Sequence, residues 1–325
     1  MPENPAVSLA NQGAVVAAII FVHKGYSEYL EYSLRQATHT SRTSEVFLLG
    51  DASNDRFPFI KHVDISGYRS SADEFAGRYE QMSSNDYEFE LFCFQRWFII
   101  KDFMERSGLE RAFVCDSDVM SYCDIDCEEA KLGPYSAAFC LPARQTNYRW
   151  CGSAHVSFWS LKTLVRFCTY ALDSYTDAVR KASLKTKWEY HLDTNRPGGV
   201  CDMTVLYLFA LENEIINLSA IRDGSSFDHN INHAENEFDD EYEMARGIKR
   251  IRWEHGRPYG FNVRAKRWVR FNTLHFQGAL SKASIHRYYR GPMWFPVSLR
   301  QGLLVRGIRM REKARNILSR SIDCS

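Results

Sequence analysis

The stretch Phe113-Val114-Cys115-Asp116-Ser117-Asp118-Val119 carries the strongest structural signal in the chain. It predicts a buried strand over Ala112–Cys115, followed directly by two carboxylates that flank one small residue. Carboxylates with this spacing at the end of a strand can hold a hard divalent cation, either directly or through a water molecule. Because no cluster of cysteines or histidines accompanies them in the sequence, they favour Mn²⁺ or Mg²⁺ over Zn²⁺. The alternative interpretation is a turn in which an aspartate caps the backbone.

The elements before this stretch predict an α/β fold with a mostly parallel, Rossmann-like sheet. Ala14–Val22 is a continuous apolar run, as a strand covered on both faces requires. Ser27 is expected to cap the helix that follows, and Val46–Gly50 predicts a second strand that ends at Asp51. A strand–helix–strand opening places the functional site at the carboxyl ends of the strands.

The rest of the chain continues this alternation. Residues 86–106 predict a long buried helix that ends at Gly108. Further predictions are strands at Ala137–Leu141 and His155–Trp159 and a helix at Asp202–Leu211. Residues 223–243 are polar and predict either a solvated loop or a mobile lid. Within them His229 and His233 are interpreted as polar loop groups, because the neighbouring asparagines disfavour a helix.

These strands, helices and the Asp-x-Asp motif, taken in their order along the chain, resemble those of the GT-A glycosyltransferases. Among these, they resemble the family-8-like retaining enzymes. In that superfamily an Asp-x-Asp after a central strand binds the metal that chelates a nucleotide diphosphate. The resemblance implies that Asp116 and Asp118 are metal ligands and that Ser117 lies at the donor. It also gives Arg96, on the helix before the motif, a contact with the donor or with the carboxylates.

The same resemblance assigns the residues that bind the nucleotide. Asp51 matches the position that hydrogen-bonds the base. Val22, His23 and Tyr26 match the first loop, which lines the base and the ribose.

A later segment, Leu274-His275-Phe276-Gln277-Gly278, resembles the C-terminal His-x-x-Gly segment of family-8-like enzymes. The resemblance implies that His275 is the third protein ligand of the metal and that Lys282 reaches the diphosphate. Gly278 would let the backbone approach the phosphates. A satisfied core histidine is the alternative for His275.

Two further positions are candidates for contact with the transferred sugar or the acceptor. Asp202 begins a predicted helix after a Pro-Gly-Gly break, where relatives carry a carboxylate or amide; the alternative is that it only caps this helix. His155 falls in a region that often faces the acceptor, but a structural role is favoured. Aromatic side chains that could stack on sugars, or belong to the core, are Tyr148, Trp150, Trp188, Tyr190 and Trp253.

Composition narrows the class of protein. The chain has 325 residues with 41 basic and 40 acidic side chains, so there is no global signature of nucleic-acid binding. Its nine cysteines form no Cys-x-x-Cys pair, and several lie in apolar runs, as expected in a reducing compartment. Cys123 and Cys127 lack a second pair for a zinc site. Without a signal peptide or a spanning apolar run, a cytoplasmic protein is expected.

The sequence divides into an expected catalytic domain, residues 1–289, and a basic tail, residues 290–325. Basic and apolar side chains of the tail, between Leu303 and Arg320, separate onto two helical faces. Such a helix is typical of peripheral contact with the inner face of a membrane, or it packs on the domain.

Together these features predict a metal-dependent glycosyltransferase, with retention of stereochemistry favoured. A UDP-sugar is the favoured donor, and the acceptor is a hydroxyl of a glycan or a lipid-linked glycan, as in cell-surface polysaccharide synthesis. The alternatives are a metal-dependent phosphohydrolase, a nucleotidyltransferase, or an inactive carbohydrate-binding protein on the same fold. The residues after Asp118 do not fit the phosphohydrolase, and no Gly-rich phosphate loop supports the nucleotidyltransferase.

Overall fold

The structure of the protein, a computed structural model, describes residues 17–292. The strands are β1 (Ala18–His23), β2 (Val46–Gly50), β3 (Lys61–Asp64), β4 (Arg111–Cys115), β5 (Val119–Ser121), β6 (Ala137–Cys140), β7 (Ser153–Ser160), β8 (Ile215–Asn217), β9 (Ser225–Phe227), β10 (Met244–Ala245), β11 (Ile248–Lys249), β12 (Ile251–Glu254), β13 (Arg257–Asn262) and β14 (Arg267–His275). The helices are α1 (Leu30–Thr40), α2 (Ser70–Ala76), α3 (Tyr87–Ser107), α4 (Ile125–Leu132), α5 (Leu161–Thr176), α6 (Ala178–Asp193), α7 (Asp202–Glu212) and α8 (Ala279–Ser284).

Seven strands form the central sheet, in the order β3-β2-β1-β4-β7-β6-β8. All of its neighbouring pairs are parallel except those of β7, which runs antiparallel to β4 and to β6. The expected α/β fold with a mostly parallel sheet in a single domain is therefore confirmed for the described residues. Because β1 and β4 are adjacent and parallel, the loops that follow them lie at the same edge of the sheet.

Both faces of the central sheet are covered, which explains the continuous apolar run of β1. Alternate residues of a strand point to opposite faces. Ile19 and Phe21 join an apolar cluster with α1, and Ile20 joins a second cluster with Trp97 and Ile100 of α3. Strands buried on both sides must be apolar throughout, and this is why β1, β2 and β4 could be predicted from sequence.

A second sheet, which the sequence analysis did not predict, is joined to the first at the Asp-x-Asp motif. Its order is β12-β13-β14-β5, and β9 pairs with β14 in parallel. Its short strand β5 begins directly after Asp118 and pairs antiparallel with β14, with Val119 opposite His275. This pairing brings the late histidine to the motif.

The ends of the first and third helices test two sequence predictions. Ser27 does not cap α1 with its side chain: the helix begins at Leu30 without a side-chain cap, so that prediction was wrong. The helix predicted over residues 86–106 is confirmed as α3. The Asp86 carboxylate caps it by accepting a hydrogen bond from Phe89 N at 3.0 Å. It ends at Gly108, whose φ of 65° lies in the left-handed region that favours glycine.

The polar segment of residues 223–243 is mostly loop, but it is largely buried, so the expectation of a solvated loop was wrong. The lid interpretation stays a prediction. The segment contains β9 and several buried polar side chains. The Asp228 carboxylate and the Lys249 ammonium form an ion pair at 2.5 Å, and both side chains are fully buried. The Asn236 amide donates to the carbonyls of Ser219 and Phe227. Partners distant in sequence therefore compensate the burial of these polar groups.

Most of the predicted basic tail, residues 293–325, lies outside the described residues, as do residues 14–16 of the first predicted strand. At the start of the tail, the Arg290 guanidinium lies 3.7 Å from the centre of the Trp253 ring, and its backbone N donates to Gln36. Among the described helices, none is long and apolar enough to cross a bilayer.

Candidate active site

The two aspartates of the motif are held by a tight turn between β4 and β5. Asp116 N donates to the His155 carbonyl at 2.7 Å, and Val119 N donates to the Asp116 carbonyl at 3.1 Å. The Asp118 carbonyl accepts from Phe276 N at 2.9 Å, which ties the motif to the end of β14. Because the backbone is fixed on both sides, the two carboxylates have defined positions.

His275 ends β14 and faces these carboxylates. One ligand atom from each of Asp116, Asp118 and His275 lies within 4.8 Å of the other two. His275 Nε2 is 3.6 Å from Asp118 Oδ1. Two carboxylates and one imidazole around a common point form a group that can bind a divalent cation.

The hydrogen bonds of His275 show which ring nitrogen is free to bind a metal. Its Nδ1 is 2.7 Å from the carbonyl of His229, and a carbonyl can only accept. Nδ1 therefore carries the proton, and the lone pair of Nε2 is directed to the side of Asp118. A backbone carbonyl that accepts from the other ring nitrogen, and so fixes the tautomer, is usual for metal-binding histidines. The residues present thus fit a divalent metal.

His155 lies behind His275 and not at an open surface. The two rings stack with centres 4.3 Å apart and planes 9° apart. His155 Nδ1 accepts from Ser153 Oγ at 2.9 Å, and Nε2 donates to the Asp228 carbonyl at 2.8 Å. Burial lowers the pKa of His155 well below its usual value, so the ring is neutral. This placement differs from the catalytic role considered from sequence, and makes His155 a positioning residue for His275.

Asp228 holds the same histidine from a third direction. Its Oδ2 accepts from His275 N at 3.1 Å, while its Oδ1 accepts from Lys249. Sequence reasoning missed both residues of this buried pair. The polar composition around Asp228 gave no signal of burial, because the compensating lysine lies 21 residues away.

Arg96 connects the metal group to the start of α7. One of its terminal nitrogens donates to Asp116, and the other lies 2.8 Å from Asp202 Oδ2. Asp202 also accepts from Trp97 Nε1 at 3.0 Å. Burial raises the pKa of the Asp116 carboxyl, and the charge of Arg96 opposes this shift. Because the N-cap residue of α7 is Cys201, Asp202 does not act as the helix cap.

Lys282 lies on the other side of the motif, in α8. Its Nζ is 3.1 Å from Asp118 Oδ2 and 5.5 Å from the centre of the Tyr29 ring. Gly278 precedes α8 with a φ of 88°, which strongly favours glycine. A Cβ at this position would meet no atom within 4 Å, so the open side of this glycine is free for a ligand.

The end of β1 and the loop that follows it contact Ser117, the residue between the two aspartates. The Ser117 hydroxyl is 3.0 Å from His23 Nδ1 and 3.3 Å from the hydroxyl of Tyr29, a residue that sequence reasoning missed. His23 Nε2 is buried without a hydrogen-bond partner among the described residues. Burial lowers the pKa of His23, so its ring is neutral. Val22 is half-buried beside it and packs on the core.

Asp51 fixes the same loop from the end of β2. Its carboxylate accepts from Gly25 N at 2.7 Å and from Ser53 N at 2.9 Å. Hydrogen bonds from Ser53 and Gly25 lower the pKa of Asp51, so it is charged. Tyr26 is 46% exposed, and the Arg56 guanidinium lies 4.1 Å from its ring centre. These groups present a charged acceptor and an exposed aromatic face at the edge of the sheet.

A pocket of about 570 Å³, here named the α3–α6 pocket, adjoins the start of α7. Its walls come from the start of α3, residues 144–151, the end of α6 and residues 196–203. Gly199 lets these walls meet, because a Cβ there would lie 2.3 Å from the Met82 carbonyl oxygen.

Two of the five aromatic candidates, Trp150 and Tyr190, line the α3–α6 pocket. Tyr148 contacts both of their rings, at centre distances of 5.1 and 5.0 Å. Trp188 packs against the main core instead. Trp253 packs edge-on against Tyr122 and is not part of the pocket.

No protein-family model matches the sequence, and no curated protein is significantly similar to it. Among solved structures, the chain is similar to mouse xyloside xylosyltransferase 1 in its apo form, with 8% identity over 63% of this chain and 85% of that chain and a TM-score of 0.46. It is also similar to the glycosyltransferase GlyE of Streptococcus pneumoniae TIGR4, with 14% identity over 63% of this chain and 45% of that chain and a TM-score of 0.32. The assignment of function rests on the geometry of the site itself.

Proposed function

We propose that the protein is a metal-dependent glycosyltransferase of the GT-A type that transfers a sugar from a nucleotide diphosphate to a hydroxyl group. The observation that carries the proposal is the group of Asp116, Asp118 and His275, whose ligand atoms lie within 4.8 Å of one another at the carboxyl end of a central strand. Lys282, 3.1 Å from Asp118, adds a positive charge beside this group, and Arg96 balances the charge of Asp116.

The residues divide into three roles. Asp116, Asp118 and His275 would hold Mn²⁺ or Mg²⁺, which would neutralise negative charge on the departing diphosphate. Lys282 would add a hydrogen bond to the same phosphates. Arg96 is a positioning residue, since its two terminal nitrogens already hold Asp116 and Asp202.

The loops after β1 and β2 would bind the nucleoside. Tyr26 offers an exposed ring for the base, and the charged Asp51 can accept from a base N–H or a ribose hydroxyl. His23 has a buried Nε2 without a partner that a ligand could satisfy. An acceptor of base N–H groups is compatible with a uracil, and the proposal keeps the UDP-sugar that is expected from the sequence as the favoured donor.

Asp202 would lie near the transferred sugar. Its Oδ2 already accepts two hydrogen bonds, from Arg96 and from Trp97, and the side chain is 3% exposed. A carboxylate engaged in this way is poorly suited to remove a proton from an acceptor. The proposal therefore retains the preference for retention of stereochemistry that the family resemblance implies, with a glycan or lipid-linked glycan as acceptor.

The test is binding and turnover of nucleotide sugars by the full chain. Calorimetry with UDP, with and without Mn²⁺, should show metal-dependent binding. Hydrolysis or transfer from a panel of UDP-, GDP- and ADP-sugars should then identify the donor. Absence of metal-dependent nucleotide binding, or equal release of phosphate from simple phosphate esters, would contradict the proposal.

The control variant is Asp55→Asn. Asp55 follows Asp51 by four residues, but its side chain is 82% exposed and lies 3.9 Å from the His62 ring nitrogen, which is not part of the metal group. It should bind UDP as the wild-type protein does, whereas Asp118→Asn should not.

A further inference from the structure

The α3–α6 pocket is rich in basic side chains, of which two are already neutralised. Its walls include the basic residues Arg144, Arg149, Lys187, His191 and Arg196. The Arg149 guanidinium forms a two-point ion pair with Glu235 at 2.5 and 2.6 Å, and Arg144 lies 3.2 Å from Asp239. These two arginines therefore line the pocket, but their charges are already paired with carboxylates.

Lys187 is a buried cation with an incomplete set of partners. Its side chain is 3% exposed, and its Nζ donates to the Arg149 carbonyl at 3.1 Å and to Thr204 Oγ1 at 2.8 Å. Among the described residues no carboxylate lies within 4 Å of it. An ammonium group has three donors, so one remains for a ligand in the pocket. Burial lowers the pKa of Lys187, and an anion bound beside it would oppose that shift.

Glu90 also lines the pocket, and it has a carboxylate oxygen that lacks a hydrogen-bond donor among the described residues. Its side chain is 1% exposed, and Oε1 accepts from Asn85 and Ser83. Oε2 is buried and has no hydrogen-bond partner among the described residues. A buried acceptor left without a donor is costly, and a hydroxyl group of a ligand would satisfy it.

The rim of the pocket adds an exposed cation and a flat apolar surface. Arg196 is exposed and lies 5.6 Å from the centre of the Tyr190 ring, with no carboxylate within 4 Å among the described residues. Trp150, which also lines the pocket, stacks on Tyr207 with ring planes 25° apart. Aromatic side chains of this kind bind the apolar faces of sugar rings.

From these contacts we propose that the α3–α6 pocket binds the acceptor, and that this acceptor is an acidic sugar. Its carboxylate or phosphate is bound by Lys187 and Arg196, its ring lies on Trp150 or Tyr190, and one of its hydroxyls donates to Glu90. The proposal rests on the transferase function above, because it assigns the second substrate of that reaction.

The position of the pocket fits this role. Cys201 lines the pocket and is the N-cap residue of α7, and Asp202 follows it directly. Asp202 is joined to the metal group through Arg96. A sugar in the pocket therefore lies at the start of α7, next to the residue that Arg96 links to the metal group.

The experiment measures sugar binding to the full-length protein by saturation-transfer NMR and titration, without nucleotide. The probes are methyl β-glucuronide, methyl β-glucoside and glucose 6-phosphate. Either acidic probe should bind about tenfold or more tightly than the neutral one, as expected when a charged hydrogen-bonded pair forms. The tighter of the two acidic probes identifies the acid as a carboxylate or a phosphate.

Two variants localise the effect. Arg196→Gln changes an exposed side chain and should lower the affinity for the acidic probe about tenfold, while binding of the neutral probe and of UDP is unchanged. Lys187→Met should do the same, but its burial can also affect folding, so Arg196→Gln is the deciding variant. Lys185→Gln removes an exposed charge from the same helix outside the pocket lining and should change nothing.

The proposal is overturned if the neutral probe binds as well as the acidic ones, if none of the probes binds, or if Arg196→Gln leaves the preference unchanged. Failure of the transferase function is a different result. In that case UDP with Mn²⁺ does not bind, whereas the acidic probe still binds in a manner that depends on Arg196.

Discussion

Lys249→Met tests whether the buried ion pair behind His275 is required for the fold and for the metal group. Lys249 donates to Asp228 Oδ1, to the Glu235 carbonyl at 2.9 Å and to Asn236 Oδ1 at 3.3 Å. Methionine keeps most of the length and volume of the lysine stem but removes all three donors. The variant therefore leaves a fully buried carboxylate that, within residues 17–292, retains only the hydrogen bond from His275 N.

The expected loss of stability follows from that uncompensated charge. Removing one partner of a buried ion pair costs about 3–5 kcal/mol, mostly through the desolvated charge that remains. Because the stem of Met fills the space of the Lys stem, the contribution of a cavity should be small. With urea slopes of about 2–3 kcal/mol/M, the unfolding midpoint should fall by roughly 1–2.5 M.

The assay is urea unfolding followed by tryptophan fluorescence, together with calorimetry of UDP and Mn²⁺ on the folded fraction. Lys185→Met, an exposed lysine on α6, should unfold as the wild-type protein does. The double variant Asp228→Asn with Lys249→Met should recover most of the lost stability, since no buried charge remains. If Lys249→Met unfolds at the wild-type urea concentration, the buried charge is not the source of stability and the reasoning is wrong.

Three further outcomes follow from the site and from the tail. Asp118→Asn should lower the metal-dependent affinity for UDP more than tenfold. The loss of stability should be small because the ion-pair partner of Asp118, Lys282, is 34% exposed. An unchanged UDP affinity in calorimetry would show that Asp118 is not a metal ligand. In calorimetry, Asp51→Asn should weaken UDP binding but leave Mn²⁺ binding intact. The control Asp55→Asn should change neither the UDP affinity nor the Mn²⁺ affinity. Neutralising the basic residues of 303–320 should abolish sedimentation with anionic vesicles, at about 1 kcal/mol per charge; sedimentation equal to the wild type would show that the tail is not the anchor.

The parts of the fold that could be predicted from sequence are those in which burial determines composition. Strands β1, β2 and β4 are covered on both faces, so their apolar runs are continuous and easy to recognise. Helix α3 is buried over most of its surface and carries both a capping aspartate and a terminal glycine. Local sequence specifies such elements almost alone.

The second sheet could not be predicted because long-range pairing forms it. Strand β5 has only three residues, and nothing within them specifies β14 as the partner. The same limit applies to residues 223–243, where local polarity indicated solvent. Asp228 is buried in that segment because Lys249 reaches it from a different strand, β11. Contacts of this kind are visible only after the chain has folded.

In the candidate site, too, some features could be predicted from local sequence and others depend on long-range contacts. Asp116 and Asp118 could be located from the strand that precedes them, but the approach of His275 depends on the register that places it opposite Val119. The protonation of His275 could not be predicted either. It depends on the His229 carbonyl, which lies in the segment interpreted as a loop.

Arg96, on the long helix α3 that precedes the motif, links two parts of the candidate site. Both of its terminal nitrogens are used, one for Asp116 of the metal group and one for Asp202 at the start of α7. Glu90, on the same helix, lies in the α3–α6 pocket. Because Arg96 and Glu90 both lie on the buried helix α3, this helix links the proposed donor and acceptor positions through its own backbone. A transferase that must bring an acceptor hydroxyl to a sugar carbon gains from such a link, since misplacement by about 1 Å can cost 100-fold in rate.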